Sequence, residues 1–177
     1  MKTILKFLND SAKQLVAYSA LIFKKRTGIK PMIIQDEITD YAVTLYAFLP
    51  NDHGFQLPVI KKENWSTRIT YKKGNIAIEI ELDFRELSVL LSVLRLDDGN
   101  LPSGYYLSSG KKSRIYLLLL ISEKKWDVDI TTQSILKSRV SRVNRDTNYF
   151  KERLEQNRII LQDCVKKIID LGENIFI

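Results

Sequence analysis

Apolar and polar residues alternate without a break from Ile76 to Phe84. Ile76, Ile78, Ile80, Leu82 and Phe84 fall on one face, and Ala77, Glu79, Glu81, Asp83 and Arg85 on the other. A period of two marks a strand with one face buried and one polar. Leu87–Leu96 is apolar on both faces as far as Arg95, the pattern of a strand that is central or covered by a helix. The same run also fits a helix, although Val89 and Val93 favour strand. Thr67–Tyr71 predicts a further strand, joined to Ile76–Phe84 through the turn Lys73-Gly74-Asn75.

Other segments follow a helical period. Lys2–Lys25 reads as an amphipathic helix, stopped by Gly28 with Pro31 beyond it. Ser113–Lys125 is leucine-rich and predicts a buried helix with Ser113 as its N-cap. Phe150, Leu154, Leu161, Val165 and Ile168 recur at near-heptad spacing, so a long last helix should run from a cap at Asn144 or Asp146 to about Leu171, with Gly172 as its stop. Trp126–Ile130 reads as a short strand. Met32–Leu49 stays open: Asp36, Glu37 and Asp40 suit a helix start, and Tyr41–Leu49 suits a strand equally. Pro50–Gly54 reads as a loop that Pro58 prolongs. These elements predict an α+β fold, an antiparallel sheet of three to five strands packed against N-terminal, central and long C-terminal helices. With no repeats or linker-like runs in 177 residues, a single domain spanning 1–177 is expected.

Charge changes the picture. The formal net charge is +7, and it is uneven. Residues 1–30 carry net +6 and residues 137–167 net +5, whereas residues 31–136 carry net −2. Basic ends favour acidic partners, whether nucleic acid, anionic lipid or an acidic protein, or simply serve solubility. The last helix and the segment leading into it hold Lys137, Arg139, Arg142, Arg145, Lys151, Arg153 and Arg158. That density suits a nucleic-acid backbone, but no helix-turn-helix, zinc-finger or RNA-recognition signature accompanies it. Leu15–Phe23 is too short to span a bilayer, and Lys24, Lys25 and Arg26 follow it instead of a small-residue cleavage site. No membrane partner is expected. The single cysteine, Cys164, cannot form an internal disulfide and favours a reducing, cytoplasmic setting. It lies in an apolar-periodic helix and reads as a small buried hydrophobe.

The chemistry-bearing residues are sparse. His53 is the only histidine and lies in a turn-rich segment. One histidine and one cysteine make no histidine cluster and leave little scope for an activated nucleophile. Glu79, Glu81 and Asp83 share a strand face with roughly 7 Å between neighbours. They would need further oxygen ligands to hold a divalent metal, and pairing with Arg68, Lys72 or Arg95 on neighbouring strands is the simpler expectation. The glycines of Gly99–Lys112 lack phosphate-loop spacing. Gly110, Lys111, Lys112 and Arg114 at the head of a helix would form at most a weak anion site. No catalytic residue, metal or cofactor is predicted.

One run carries a resemblance. The acidic strand ends Leu82-Asp83-Phe84-Arg85 and is followed by the apolar second strand. Asp98-Gly99-Asn100-Leu101-Pro102 and Gly104-Tyr105-Tyr106 come next, then Gly110-Lys111-Lys112-Ser113-Arg114 entering a leucine-rich run. This stretch resembles the central part of certain bacterial immunity proteins of polymorphic toxin systems and covers about a fifth of the chain. The resemblance implies a small cytoplasmic binder that blocks one cognate protein toxin. Aromatic and arginine anchors supply most of the affinity in such interfaces. Tyr105, Tyr106, Arg114 and Trp126 are the candidates in the centre, with Arg142 and Arg145 in the basic C-terminal segment. Binders of nuclease toxins are often acidic. This chain is basic, so the expected toxin presents an acidic surface or is not a nuclease. Nucleic acid is the alternative partner.

Overall fold

A computed structural model describes residues 31–108, 110–137 and 147–177. The predicted N-terminal helix, the candidate caps Asn144 and Asp146, and Arg139, Arg142 and Arg145 lie outside the described residues. Ile38–Ile177 forms one compact unit.

The elements run α1 (Pro31–Leu45), α2 (Phe48–His53), β1 (Val59–Lys62), β2 (Ser66–Lys73), β3 (Ile76–Asp83), β4 (Ser88–Arg95), β5 (Leu107–Ser108), β6 (Lys111–Lys112), β7 (Arg114–Tyr116), α3 (Leu117–Glu123), α4 (Ile130–Lys137) and α5 (Thr147–Leu171). A short 3₁₀ turn, Gly172–Phe176, closes the chain. The main sheet has five strands in the order β1-β2-β3-β4-β7, and every pairing in it is antiparallel. The fold is α+β, as the alternation of strand and helix periods predicts.

The two faces of β3 govern the rest. Register places Ile78 between Tyr71 and Val93, Ile80 between Ile69 and Leu91, and Leu82 between Thr67 and Val89. Val93 in turn pairs with Ile115. This apolar face is covered by α5, whose Phe150, Leu154, Leu161, Val165 and Ile168 are all buried. The Phe84 and Phe150 rings meet at 5.0 Å between centroids. Tyr46, fully buried, donates its hydroxyl to the Leu154 carbonyl at 3.0 Å and ties the start of the unit to α5. Cys164 is buried on the same helix, and burial pushes its thiol up to about 11, as suits a core residue.

Several element boundaries differ from expectation, each for a physical reason. Met32–Leu49 is helical apart from a turn at Tyr46–Ala47, and Ile38, Ala42, Tyr46 and Leu49 are buried at helical spacing along it. The expected loop Pro50–Gly54 is mostly α2. Pro50 sits in the first turn of that helix, where no backbone donor is needed, and Gly54 ends it at φ 67°. Arg114–Tyr116 is a strand and not the head of a helix, because Ile115 completes the apolar face beside Val93. Ser113 therefore does not cap a helix. In α3, Leu117, Leu120 and Ile121 are buried while Leu118 and Leu119 are exposed. Trp126–Asp129 is coil leading into α4, where Asp129 accepts a hydrogen bond from the Thr132 backbone N–H at 2.7 Å. No helix among the described residues is long and apolar enough to cross a membrane.

Candidate functional site

The second face of the sheet carries the polar residues. Glu79 lies in register between Thr70 and Ser92, and Glu81 between Arg68 and Leu90. Ala77 is followed across β4 and β7 by Leu94 and Arg114. An exposed meander would leave this face in water. Here the connection from β4 to β7 folds back over it, with Leu101–Tyr106 as the cover.

Arg114 is the centre of the arrangement. It is 6% exposed, Glu79 is 3% exposed, and Nη2 of Arg114 donates to Oε1 of Glu79 at 2.6 Å. The pair spans β4, where Ser92 provides a small side chain between Glu79 and Tyr116. Burial pushes the Glu79 carboxyl above its ordinary range, against the pull of Arg114 and Arg68. The Tyr105 ring lies over the Arg114 guanidinium at 3.7 Å. Its hydroxyl donates to Oε2 of Glu81 at 2.9 Å. Glu81 also faces Nε of Arg68 at 3.7 Å.

Three tyrosines converge beside this pair. Tyr105 and Tyr106 meet edge to face at 4.7 Å, and Tyr106 meets Tyr116 at 6.5 Å. The Tyr116 hydroxyl lies 3.4 Å from that of Tyr105 and 3.2 Å from that of Tyr106. Burial raises the phenols of Tyr105 and Tyr116, so both stay neutral at physiological pH. The cover is fixed at its far end: the Ser113 backbone N–H donates to the Tyr106 carbonyl at 2.8 Å. At Gly104 a Cβ would fall 1.8 Å from the Leu107 carbonyl oxygen, so the bend requires glycine.

Under the cover lies a cavity of about 530 Å³. Its walls include Val59, Leu94, Leu101 and Pro102 on the apolar side and Arg68, Glu79 and Arg114 on the polar side. Nε and Nη1 of Arg114 are buried and have no hydrogen-bond partner among the described residues. In the cavity wall Val59 is 56% and Leu101 45% exposed, and Tyr106 and Leu107, which follow Tyr105 in the chain, are 56% and 61% exposed.

Of the residues singled out in the sequence, Tyr105, Tyr106 and Arg114 come together. Trp126 does not. It is half-buried in the α3–α4 connection and belongs neither to the tyrosine cluster nor to the cavity wall. Arg142 and Arg145 lie outside the described residues. The acidic strand face is paired, with one of the expected partners and with one that was not expected, Arg114 on Glu79. Arg68 does face Glu81, whereas Lys72 donates to the Gly99 carbonyl at 2.9 Å and Arg95 to Asp97 at 3.5 Å. Asp83 accepts the backbone N–H groups of Arg85 and Glu86 and shapes the β3–β4 turn. Among the described residues no group of three or more potential metal ligands forms. The weak anion site around Gly110 has no helix behind it: Lys111–Lys112 is strand, and Lys112 pairs with Glu123 at 3.2 Å. His53 is half-buried at the end of α2, with its ring edge against Phe48 at 5.9 Å.

Sequence pattern alone does not point to Tyr116 and Glu79 as partners in this site. The one available signal is Ser92, the small polar residue inside the apolar run Val89–Leu96. No family model, curated protein or solved structure matches the chain.

Proposed function

We propose that this chain is a non-enzymatic protein-binding domain that neutralises a cognate bacterial toxin by covering its surface. One observation carries the binding part of this reading. Tyr105 and Tyr106 stand exposed on a cover that is pinned to a buried Arg114–Glu79 pair, with Val59, Leu101 and Leu107 exposed around them. Rigid aromatic anchors inside an apolar surround are the usual seat of binding energy in protein interfaces. The toxin part rests on the resemblance of the Glu79–Arg114 run to immunity proteins of polymorphic toxin systems. The basic balance of the chain suits an acidic toxin surface, and it would speed encounter more than it tightens the complex. A cytoplasmic location follows from the same reading.

The test is capture of partners from nuclease-treated lysate of the source cells by the tagged full chain, beside the Tyr105→Ala/Tyr106→Ala variant. The expected result is one stoichiometric protein held by wild type and bound at least about tenfold more weakly by the variant. That protein should be toxic when produced without this chain. Equal capture by both forms would remove this surface from the account. Nucleic acid that is recovered only when nuclease is omitted would favour binding through the basic segments instead.

A further inference from the structure

The main sheet ends in two unlike edges. β1 forms one edge and carries Lys61 and Lys62, charges of the kind that keep an open strand from pairing further. At the other edge β7 pairs with β4 only at Ser92, Val93 and Leu94. After Tyr116 the chain turns into α3, so Ser88–Leu91 has no strand beside it on that side among the described residues. No charge lies in Ser88–Leu91. The Arg95 N–H donates to the Ser113 carbonyl on this side at 2.9 Å, and alternate residues of a strand turn their backbone groups to the same edge. Those of Val89 and Leu91 therefore face the line that β7 leaves. A cavity of about 320 Å³ lies there, lined by Val89–Leu91, by Leu117–Leu119 of α3, and by Arg153 and Asn157 of α5. Leu118 and Leu119 are 46% and 47% exposed. Asn157 is 6% exposed, and its side-chain amide has no hydrogen-bond partner among the described residues, although buried amides are ordinarily bonded. Arg153 is half-buried, donates to Gln156 at 2.9 Å, and has no acidic partner among the described residues. It is the single charged group in the wall.

We propose that this groove takes an extended segment of a partner protein, added to the sheet beside Ser88–Leu91 in line with β7, with an acidic side chain placed on Arg153. Strand addition is how an open, uncharged edge is ordinarily used: backbone pairing supplies affinity and side-chain contacts supply selectivity. The incoming strand brings N–H and C=O groups to Val89 and Leu91. Its apolar side chains rest on Leu118 and Leu119. The Asn157 amide both donates and accepts, which matches a peptide group. Arg153 is a cation with no counter-charge of its own, so it selects an acid over a neutral or basic residue. A small apolar acid would meet Arg153 and the leucines but would leave the β4 edge and Asn157 unused. The groove shares no residue with the cover Leu101–Tyr106, so it stands apart from the toxin-binding reading and its occupant is a separate segment.

The test is a titration of the isotopically labelled full chain, read at the Val89 and Leu91 backbone N–H signals by NMR. The probes are acetylated and amidated peptides of alternating Val and Thr, with one Glu placed at each position in turn. The controls are the same peptides with Gln for Glu, the Glu peptides N-methylated at every second residue in each of the two phases, and sodium octanoate. The expected result is a saturable shift of both signals with at least one Glu peptide, which binds at least about tenfold more tightly than its Gln counterpart. N-methylation in one phase should weaken that peptide at least about tenfold and in the other phase should not, because a strand pairs through one edge only. Arg153 is half-buried and has one neutral partner, so Arg153→Gln should keep the fold and bind the Glu peptide no more tightly than the Gln one. Absence of a saturable shift with every Glu peptide up to about 1 mM overturns the proposal. So does equal binding of Glu and Gln peptides, equal binding of the two N-methylated phases, or tighter binding of octanoate than of any peptide. No captured toxin enters these titrations, so the groove and the toxin-binding reading fail independently.

Discussion

Replacing Glu79 by Leu should destabilise the protein far more than the loss of one surface ion pair. Glu79 and Arg114 are 3% and 6% exposed and 2.6 Å apart. With the carboxylate gone, the Arg114 charge stays buried with no counter-charge in contact and with all of its hydrogen-bonding edges unspent. Breaking a buried pair from one side costs about 3–5 kcal/mol, whereas an exposed pair contributes about 0–1 kcal/mol. The double variant Glu79→Leu/Arg114→Met removes both charges and leaves apolar side chains next to Leu94. Such exchanges are often neutral or stabilising. Loss of the stacking between Arg114 and Tyr105 offsets part of this gain, by about 1–2 kcal/mol. The double variant should therefore fall within about 2 kcal/mol of wild type and be more stable than Glu79→Leu alone. Urea unfolding followed by far-UV circular dichroism gives all the corners of the cycle. A cost below about 1 kcal/mol for Glu79→Leu, or strict additivity of the two single changes, would show that the pair behaves as an exposed one and refute the reasoning. The same pair makes a pH prediction. The Glu79 carboxyl is raised by burial, so the folded protein holds that proton more tightly than the unfolded chain does. Its favourable contribution is full below the unfolded value and is lost as pH rises through the folded one. The stability difference between wild type and Glu79→Gln should shrink as pH rises from the ordinary carboxylate range upward; a difference that grows over this window would contradict the assigned direction.

Three further outcomes follow from the packing. Phe150→Ala empties a fully buried position against Phe84 and should cost about 3–5 kcal/mol in urea unfolding; a cost under about 1 kcal/mol would place the α5 stripe on something other than this sheet. Gly104→Ala brings a Cβ to 1.8 Å from a backbone oxygen, so it should displace the cover, move the Tyr105 and Tyr106 ring resonances, and lower stability by about 1–3 kcal/mol. Tyr105→Ala/Tyr106→Ala removes partly exposed rings and should leave the protein folded, with a loss of about 1–2 kcal/mol, while weakening partner capture at least about tenfold.

The sheet was legible where one physical signal acted alone. The alternation of Ile76–Phe84 reports a strand with unlike faces, and the structure sets those residues between β2 and β4 in that sense. The α5 stripe was equally plain, because a 25-residue helix repeats its apolar face many times. Short elements were not legible. Arg114–Tyr116 runs straight into Leu117–Glu123, and a three-residue strand gives no period against the helical leucines that follow. Val59–Lys62 is exposed along its whole length, so burial left no mark on its sequence. Tyr105, Tyr106 and Arg114 could be named from residue type alone. Their assembly could not, since it joins Tyr105 to Glu81 and Arg114 to Glu79 across 24 and 35 residues of chain. Trp126 has the same anchor-like character as the tyrosines. It falls outside the cluster because the chain turns away into α4 after Lys125, a non-glycine residue held at φ 50°.

The most direct test of the central claim is hydrogen–deuterium exchange of the full chain with and without its captured partner. The account predicts new protection concentrated in Leu101–Tyr106 and β1, with α5 unchanged. Protection confined to α5 or to the basic segments, with Leu101–Tyr106 exchanging as in the free protein, would contradict it.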